Sequence, residues 1–131
     1  MKPAIHLISE TEFNAAQSIY KIINHEHNNT FGYFEINKQK YYIGWPSSTL
    51  IEIEFLHIQK HNYLLVGIDL QVVAISLTDD RILFSLGLFS YLKYLEEKDD
   101  LSFIIHTELD DIIINKKGFS ISQIISHNLK F

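Results

Sequence analysis

The sequence predicts an all-β protein, mainly an antiparallel meander, sandwich-like or like part of a propeller, with at most one or two short helices. Three observations carry that expectation. Apolar and polar residues alternate strictly in run after run, the period-two pattern of a pleated strand. Ile, Val, Phe and Tyr, which fit a pleated surface, dominate the apolar positions. Short turn signals separate the runs at hairpin spacing.

Near the start, "SETEFNAAQSIY" reads as a short helix at 11–17. Ser9 is its N-cap and Glu12, three residues on, completes a capping box. Phe13, Ala16 and Tyr20 would then share a face. "SIYKII" and "FGYFEI" read as paired strands, which makes "NHEHNNT" (Asn24 to Thr30) the loop of a hairpin. "NKQK" (Asn37 to Lys40) turns the chain into "YYIGW", and Pro46 punctuates the "WPSS" loop that follows.

"LIEIEFLHI" places Ile51, Ile53 and Phe55 on one face and Glu52 and Glu54 on the other, a half-buried strand. "YLLVGIDL" aligns Leu64, Val66 and Ile68, and "VVAISL" aligns Val73, Ile75 and Leu77. "IDLQ" (Ile68 to Gln71) is a tight connection between them. "TDD" (Thr78 to Asp80) leads into "RILFSLGL", with Ile82, Phe84, Leu86 and Leu88 together. "LFSYLKYLEEKDD" fits helical turns or a strand followed by an acidic loop, and 89–97 stays open. "LSFIIHTEL" and "DIIINKKGFSISQII" continue the strand pattern, with "NKKG" (Asn115 to Gly118) as their last turn, where Gly118 supplies positive φ freely. About ten strands result. "INKQKYYI" and "INKKGFSI" match in pattern, either as a duplicated unit or as two hairpins using the same turn chemistry.

At 131 residues with no visible linker, the chain is expected to form one domain, 1–131. It is 47% hydrophobic and 21% charged, enough apolar material for a core and too little charge for disorder. No apolar run reaches the roughly 20 residues a membrane helix needs, and the N-terminus lacks a signal-peptide pattern, so a cytoplasmic location is expected. With no cysteine, disulfides, thiolate zinc sites and thiol catalysis are excluded. A net charge of -5 disfavours nucleic acid and anionic membranes as partners and suits a basic protein.

Candidate chemistry is sparse. On a strand, His25 and His27 would point the same way, a two-ligand start for zinc with His6, His57, His61, His106 or Glu108 completing it. No spaced ligand motif accompanies them, and no metal or other cofactor is expected. "HTELDD" (His106 to Asp111) groups one histidine with three carboxylates, an acid/base or metal constellation in a hydrolase and a solvated strand end otherwise. There is no nucleophile elbow and no phosphate-cradling glycine loop, so no catalytic residue is assigned. Gly67 and Gly87 stand singly within strands, as at bulges or close packing. The acidic runs "TDD", "LEEKDD" and "ELDD" all fall at hairpin ends. Asp79, Asp80, Glu96, Glu97, Asp99, Asp100, Asp110 and Asp111 are therefore the expected partner-binding residues, gathered into an acidic rim that steers a basic partner. Tyr33, Tyr41, Tyr42 and Trp45 are candidate interface anchors where exposed and core residues where not.

The stretches "LLVGIDLQVVAISLTDDRILFSLGL" and "IIHTELDDIIINKKGFSISQII", in a similarity that extends over roughly residues 63 to 125, resemble small all-β bacterial immunity proteins of contact-dependent and polymorphic toxin systems. The resemblance implies a non-catalytic protein that binds a cognate, basic toxin domain, such as a nuclease, and blocks its active site or substrate surface. The competing readings are a small metal-dependent or hydrolytic enzyme, with His106 and Glu108 in one concave site, and an interaction module of a larger assembly.

Overall fold

A computed structural model describes residues 2–46 and 52–127. In chain order the elements are β1 (His6–Ile8), α1 (Glu10–Ala15), a 3-10 turn (Ser18–Tyr20), β2 (Lys21–Asn24), β3 (Thr30–Ile36), β4 (Gln39–Trp45) and β5 (Glu54–Ile58). A second 3-10 turn (Gln59–His61) leads to β6 (Tyr63–Ile68), β7 (Gln71–Ser76), β8 (Ile82–Gly87), β9 (Leu92–Glu97), β10 (Ser102–Thr107), β11 (Asp110–Asn115) and β12 (Ile121–Ser126). The all-β expectation holds: the described residues form three four-stranded sheets and one α-helix. Among the described residues, no helix is long and apolar enough to cross a membrane. The chain divides into two compact units, Met1–Glu52 and Ile53–Phe131.

In the first unit, α1 begins where the cap expects it, with the Glu12 amide donating to Ser9 Oγ at 3.1 Å. It ends at Ala15 because Ala16 is already extended, so Phe13, Ala16 and Tyr20 never form one helical face and only Phe13 is buried. The sheet order is β1-β3-β4-β2. β3 and β4 pair over seven positions, closed by Asn37 and Lys38 with φ of 51° and 68°, the type I′ turn whose twist matches the strands.

This hairpin overturns the reading of "NHEHNNT" as a hairpin loop. β4 holds one edge of β3 and β1 the other, so β2 is left the far edge of β4, where it runs parallel. The segment is a crossover, not a tight return. Tyr41 and Trp45, considered as anchors, are core residues, and Tyr33 and Tyr42 are half-buried.

The second unit is two consecutive antiparallel meanders, β5-β6-β7-β8 and β9-β10-β11-β12. One apolar core unites Ile58, Tyr63, Leu65, Val72 and Ala74 of the first with Leu95, Phe103, Ile105, Ile112 and Ile114 of the second. The alternatives for 89–97 resolve to strand, as β9.

Three details depart from simple alternation. β5 starts only at Glu54, and Leu56 and Ile58 turn to the core; Ile51 lies outside the described residues. β6 and β7 are buried on both faces, Leu64, Val66, Val73 and Ile75 as completely as Leu65 and Ala74. In β8, the register slips between the Ala74–Phe84 and Ile75–Ile82 pairs, leaving Leu83 as the extra residue. The bulge throws Ile82 out of line with Phe84 and Leu86, and Ile82 is exposed.

The last three strands of the two meanders are position-for-position equivalents. β6 and β10, β7 and β11, and β8 and β12 begin at 63 and 102, 71 and 110, and 82 and 121, an offset of 39 each time. Cross-strand pairs obey it too: Leu65–Ala74 corresponds to Ile104–Ile113, and Gly67–Val72 to His106–Asp111. The sheets stack head to tail. The face of the first sheet carrying Leu65, Val72 and Ala74 enters the shared core, while its counterpart with Ile104, His106, Asp111 and Ile113 turns away from it. The resemblance between "INKQKYYI" and "INKKGFSI" is not this duplication. The second hairpin closes through a longer turn, with positive φ at Gly118 and Phe119 instead.

Candidate protein-binding surface

In a meander, successive connections lie at opposite ends, and this sorts the acidic runs. One end of the second unit carries the turns after β7 and β9, brought together where the Tyr63 hydroxyl donates to the Lys116 carbonyl (2.8 Å) and the Lys116 amide to that of Leu101 (2.8 Å). Asp79, Asp80, Glu97, Asp99 and Asp100 lie there. Asp110 and Asp111 lie at the other end, and Glu96 faces outward from β9. The single rim expected from sequence is therefore two groups.

Most of the first group is committed locally. Asp99 Oδ1 accepts from the Leu101 and Ser102 amides and the Ser102 hydroxyl, at 2.8, 2.9 and 2.9 Å, and these bonds, that of Leu101 first, hold its carboxyl below the usual range. Asp79 is held low by the Ser76 hydroxyl and by Arg81, 2.7 Å away. Glu97 pairs at 2.7 Å with the ammonium of Lys116, a residue only 4% exposed. Burial, and then the charge of Glu97, push the Tyr63 phenol well above its ordinary value.

At the opposite end, three connections are laced together. The Leu88 amide donates to the Leu70 carbonyl (2.7 Å), that of Leu92 to Asp69 (2.8 Å) and that of Glu108 to Tyr91 (3.0 Å). Beneath them lies a hydroxyl cluster. Ser90 Oγ donates to Thr107 Oγ1 at 2.8 Å, and the Thr107 hydroxyl donates to the Asp110 carboxylate at 2.5 Å while accepting from the Asp110 amide at 3.1 Å. Ser90 and Thr107 are both buried. On this fixed base stand three apolar side chains: Phe89, 101% exposed, with Tyr91 and Leu109 about half exposed. Glu108, Asp110 and Asp111 flank Leu109 in sequence, and the His127 amide ties the end of β12 to the Leu109 carbonyl at 2.9 Å. Exposed aromatic groups beside charged ones on an ordered connection have the composition of an interface centre and rim.

"HTELDD" folds differently from the hydrolase reading. Glu108 belongs to the turn, and the partner of His106 is its cross-strand neighbour Asp111, with Nδ1 to Oδ1 at 2.7 Å. His127 Nε2 meets the same oxygen at 3.0 Å, Tyr94 stacks on His106 at 4.1 Å, and Glu96 lies 3.7 Å from its Nε2. Burial opposes charge on Asp111, but the bonds from His106 and His127 outweigh it and its carboxyl titrates below the usual range. Of the other histidines, His25 and His27 sit in the crossover rather than on a strand, and His6 stacks on Tyr33. Among the described residues, no three His, Cys, Asp or Glu side chains converge in a way that could hold a metal ion.

The repeat explains the His106 cluster. Where the inner sheet has Gly67 and Val72 against its neighbour, the outer sheet has His106 and Asp111 facing away, a polar cap on a terminal layer. Sequence reasoning missed Phe89, Tyr91 and Leu109, because apolar residues in "GLFSYL" look like core. The serine between the two aromatics was the available hint of a turn. Comparison with models of protein families and with curated proteins returned no match.

Proposed function

We propose that this chain is a toxin-neutralising immunity protein, a non-catalytic binder that covers the active site or substrate surface of a basic toxin domain. The observation that carries the reading is Phe89, wholly exposed on a connection that buried hydroxyls hold in place. An aromatic side chain wholly in water gains most when it is seated in a partner's pocket, and here the backbone that carries it is already ordered. The acidic side chains around it, and a net charge of -5, select a cationic partner.

The test is calorimetric titration of the chain with the toxin domain encoded by the adjacent reading frame. A 1:1 complex is expected. Phe89→Ala should weaken it at least about 30-fold, the scale of an interface hot spot. Glu108→Lys should slow association at low salt, and Asp100→Lys, at the other end, should change it little. Absence of a complex, or Phe89→Ala binding within about twofold of the parent, refutes the proposal.

A further inference from the structure

We propose that β12 is a self-pairing edge: a second copy of this chain adds its own β12 antiparallel to it, across a two-fold axis at Ile124. The proposal stands independently of the toxin-binding reading. β12 ends the sheet order β12-β11-β10-β9, so among the described residues one of its sides has no strand neighbour. Hydrogen bonding in an antiparallel pair alternates along each strand. The His127 amide donates to the Leu109 carbonyl at 2.9 Å, which makes His127 a residue whose backbone faces β11. By alternation Ile125 and Gln123, opposite Asp111 and Ile113, face β11 as well. The amides and carbonyls of Ile124 and Ser126 therefore point the other way, to the open edge, where they form a template for another strand.

Proteins ordinarily guard such edges with charge, proline or extreme shortness. β9, the opposite edge of the same sheet, carries Lys93, Glu96 and Glu97. β5 carries Glu54, β2 carries Lys21, and β1 has only three residues. β12 has neither charge nor proline, and all six of its residues are exposed, Ile124 by 55%. β8 is equally uncharged, but its Leu83, Phe84 and Leu86 are partly buried against the core. The one irregularity in β12 is the bulge at Ser122, where the register slips between Ile113 and Ile114. It lies near the start of the strand and leaves Gln123 to Ser126 regular.

The occupant follows from the strand itself. Laid antiparallel on a copy with Ile124 opposite Ile124, "ISQIIS" sets Ser126 against Ser122 of the copy and Ile125 against its Gln123. Ile124 and Ser126, whose backbone groups are free, then fall on hydrogen-bonding positions of the new ladder. Isoleucine meets isoleucine, serine meets serine, and no charge faces a like charge. Ile124 is the cross-strand partner of Ile112, so the apolar row along this face would run on into the copy. In a chain of net charge -5, an uncharged strand is where two copies approach with least repulsion. Each copy uses its edge once, so the contact is isologous and closes at a dimer. A single short ladder is a small interface, of the class that associates weakly.

The experiment is sedimentation equilibrium of the full chain alone, from about 5 to 500 µM, where a reversible monomer–dimer equilibrium is expected. Ile124→Pro removes only an amide that faces the open edge, a place where sheets tolerate proline, and should weaken the dimer at least about tenfold. Ile124→Lys, at an exposed position, should do the same by opposing two ammonium groups across the axis. Leu101→Lys, at an equally apolar and exposed position in the turn after β9, should leave the equilibrium unchanged. The chain has no cysteine, so the register can be read by crosslinking. Ile124→Cys should form an intermolecular disulfide under mild oxidation, and Ser126→Cys, off the axis and opposite Ser122, should form one far more slowly. A chain monomeric throughout, an Ile124→Pro variant that dimerises like the parent, or Ser126→Cys crosslinking as fast as Ile124→Cys overturns the proposal.

Discussion

Replacing Thr107 by valine tests whether the loops under Phe89 are held by hydrogen bonding rather than by simple burial. Thr107 is 1% exposed, and valine matches its shape. If burial decides, the swap should be neutral or stabilising, because one methyl replaces a hydroxyl at a gain of about 0.8 kcal/mol. The geometry argues the opposite. Without Oγ1, the Ser90 hydroxyl and the Asp110 amide both lose their acceptor, at 2.8 and 3.1 Å in the parent. The Leu109 amide keeps Ser90 Oγ at 3.3 Å, and the part-exposed Asp110 carboxylate can turn to water. Two enclosed donors at about 1.5 kcal/mol each, less the methyl's gain, leave a net loss of roughly 2 kcal/mol. For a chain of this length that lowers Tm by roughly 6–10 °C. Thr107→Ser keeps every hydrogen bond and loses one methyl, a cost of about 1 kcal/mol. Calorimetric melting and urea titration should therefore rank the parent above Thr107→Ser and Thr107→Ser above Thr107→Val. A valine variant as stable as the parent, or more stable than the serine variant, would refute the reasoning.

Two further outcomes follow from charge. Glu97→Ala strands the buried Lys116 ammonium and should cost roughly 2–4 kcal/mol in urea titrations, whereas Lys116→Met leaves only a half-exposed carboxylate and should cost less than about 1 kcal/mol. The depressed pKa of Asp111 gives stability that is complete above the unfolded carboxylate value, about 3.9, and is lost as pH falls through the lower folded value. Urea midpoints measured from pH 6 down to pH 2 should fall more steeply for the parent than for Asp111→Asn.

What the sequence disclosed was whatever depends on neighbours in the chain. Ser9 with Glu12 gave the cap of α1, and Asn37 with Lys38 gave a turn, because both motifs close within four residues. The strands themselves were legible from period-two burial. Features decided by distant segments were not. Which edge remained for β2 depends on β1 occupying the outer edge of β3. The burial of both faces of β6 and β7, and the bulge at Leu83, depend on neighbours that alternation does not name. For the candidate surface, the carboxylates were visible but their sorting to two ends required the strand order. Counting back from the two-residue turn at Glu108 and Leu109 would have paired His106 with Asp111 in place of Glu108.

The 39-residue correspondence also gives the second unit a direction of growth. Its inner layer meets the next one through glycine, valine and alanine, and its last layer ends in imidazole and carboxylate. Exchanging His106 and Asp111 for the residues at the matching inner positions would strip that terminus of its polar seal. The outermost layer would then acquire the smooth aliphatic character of an interior one on a face that turns away from the core.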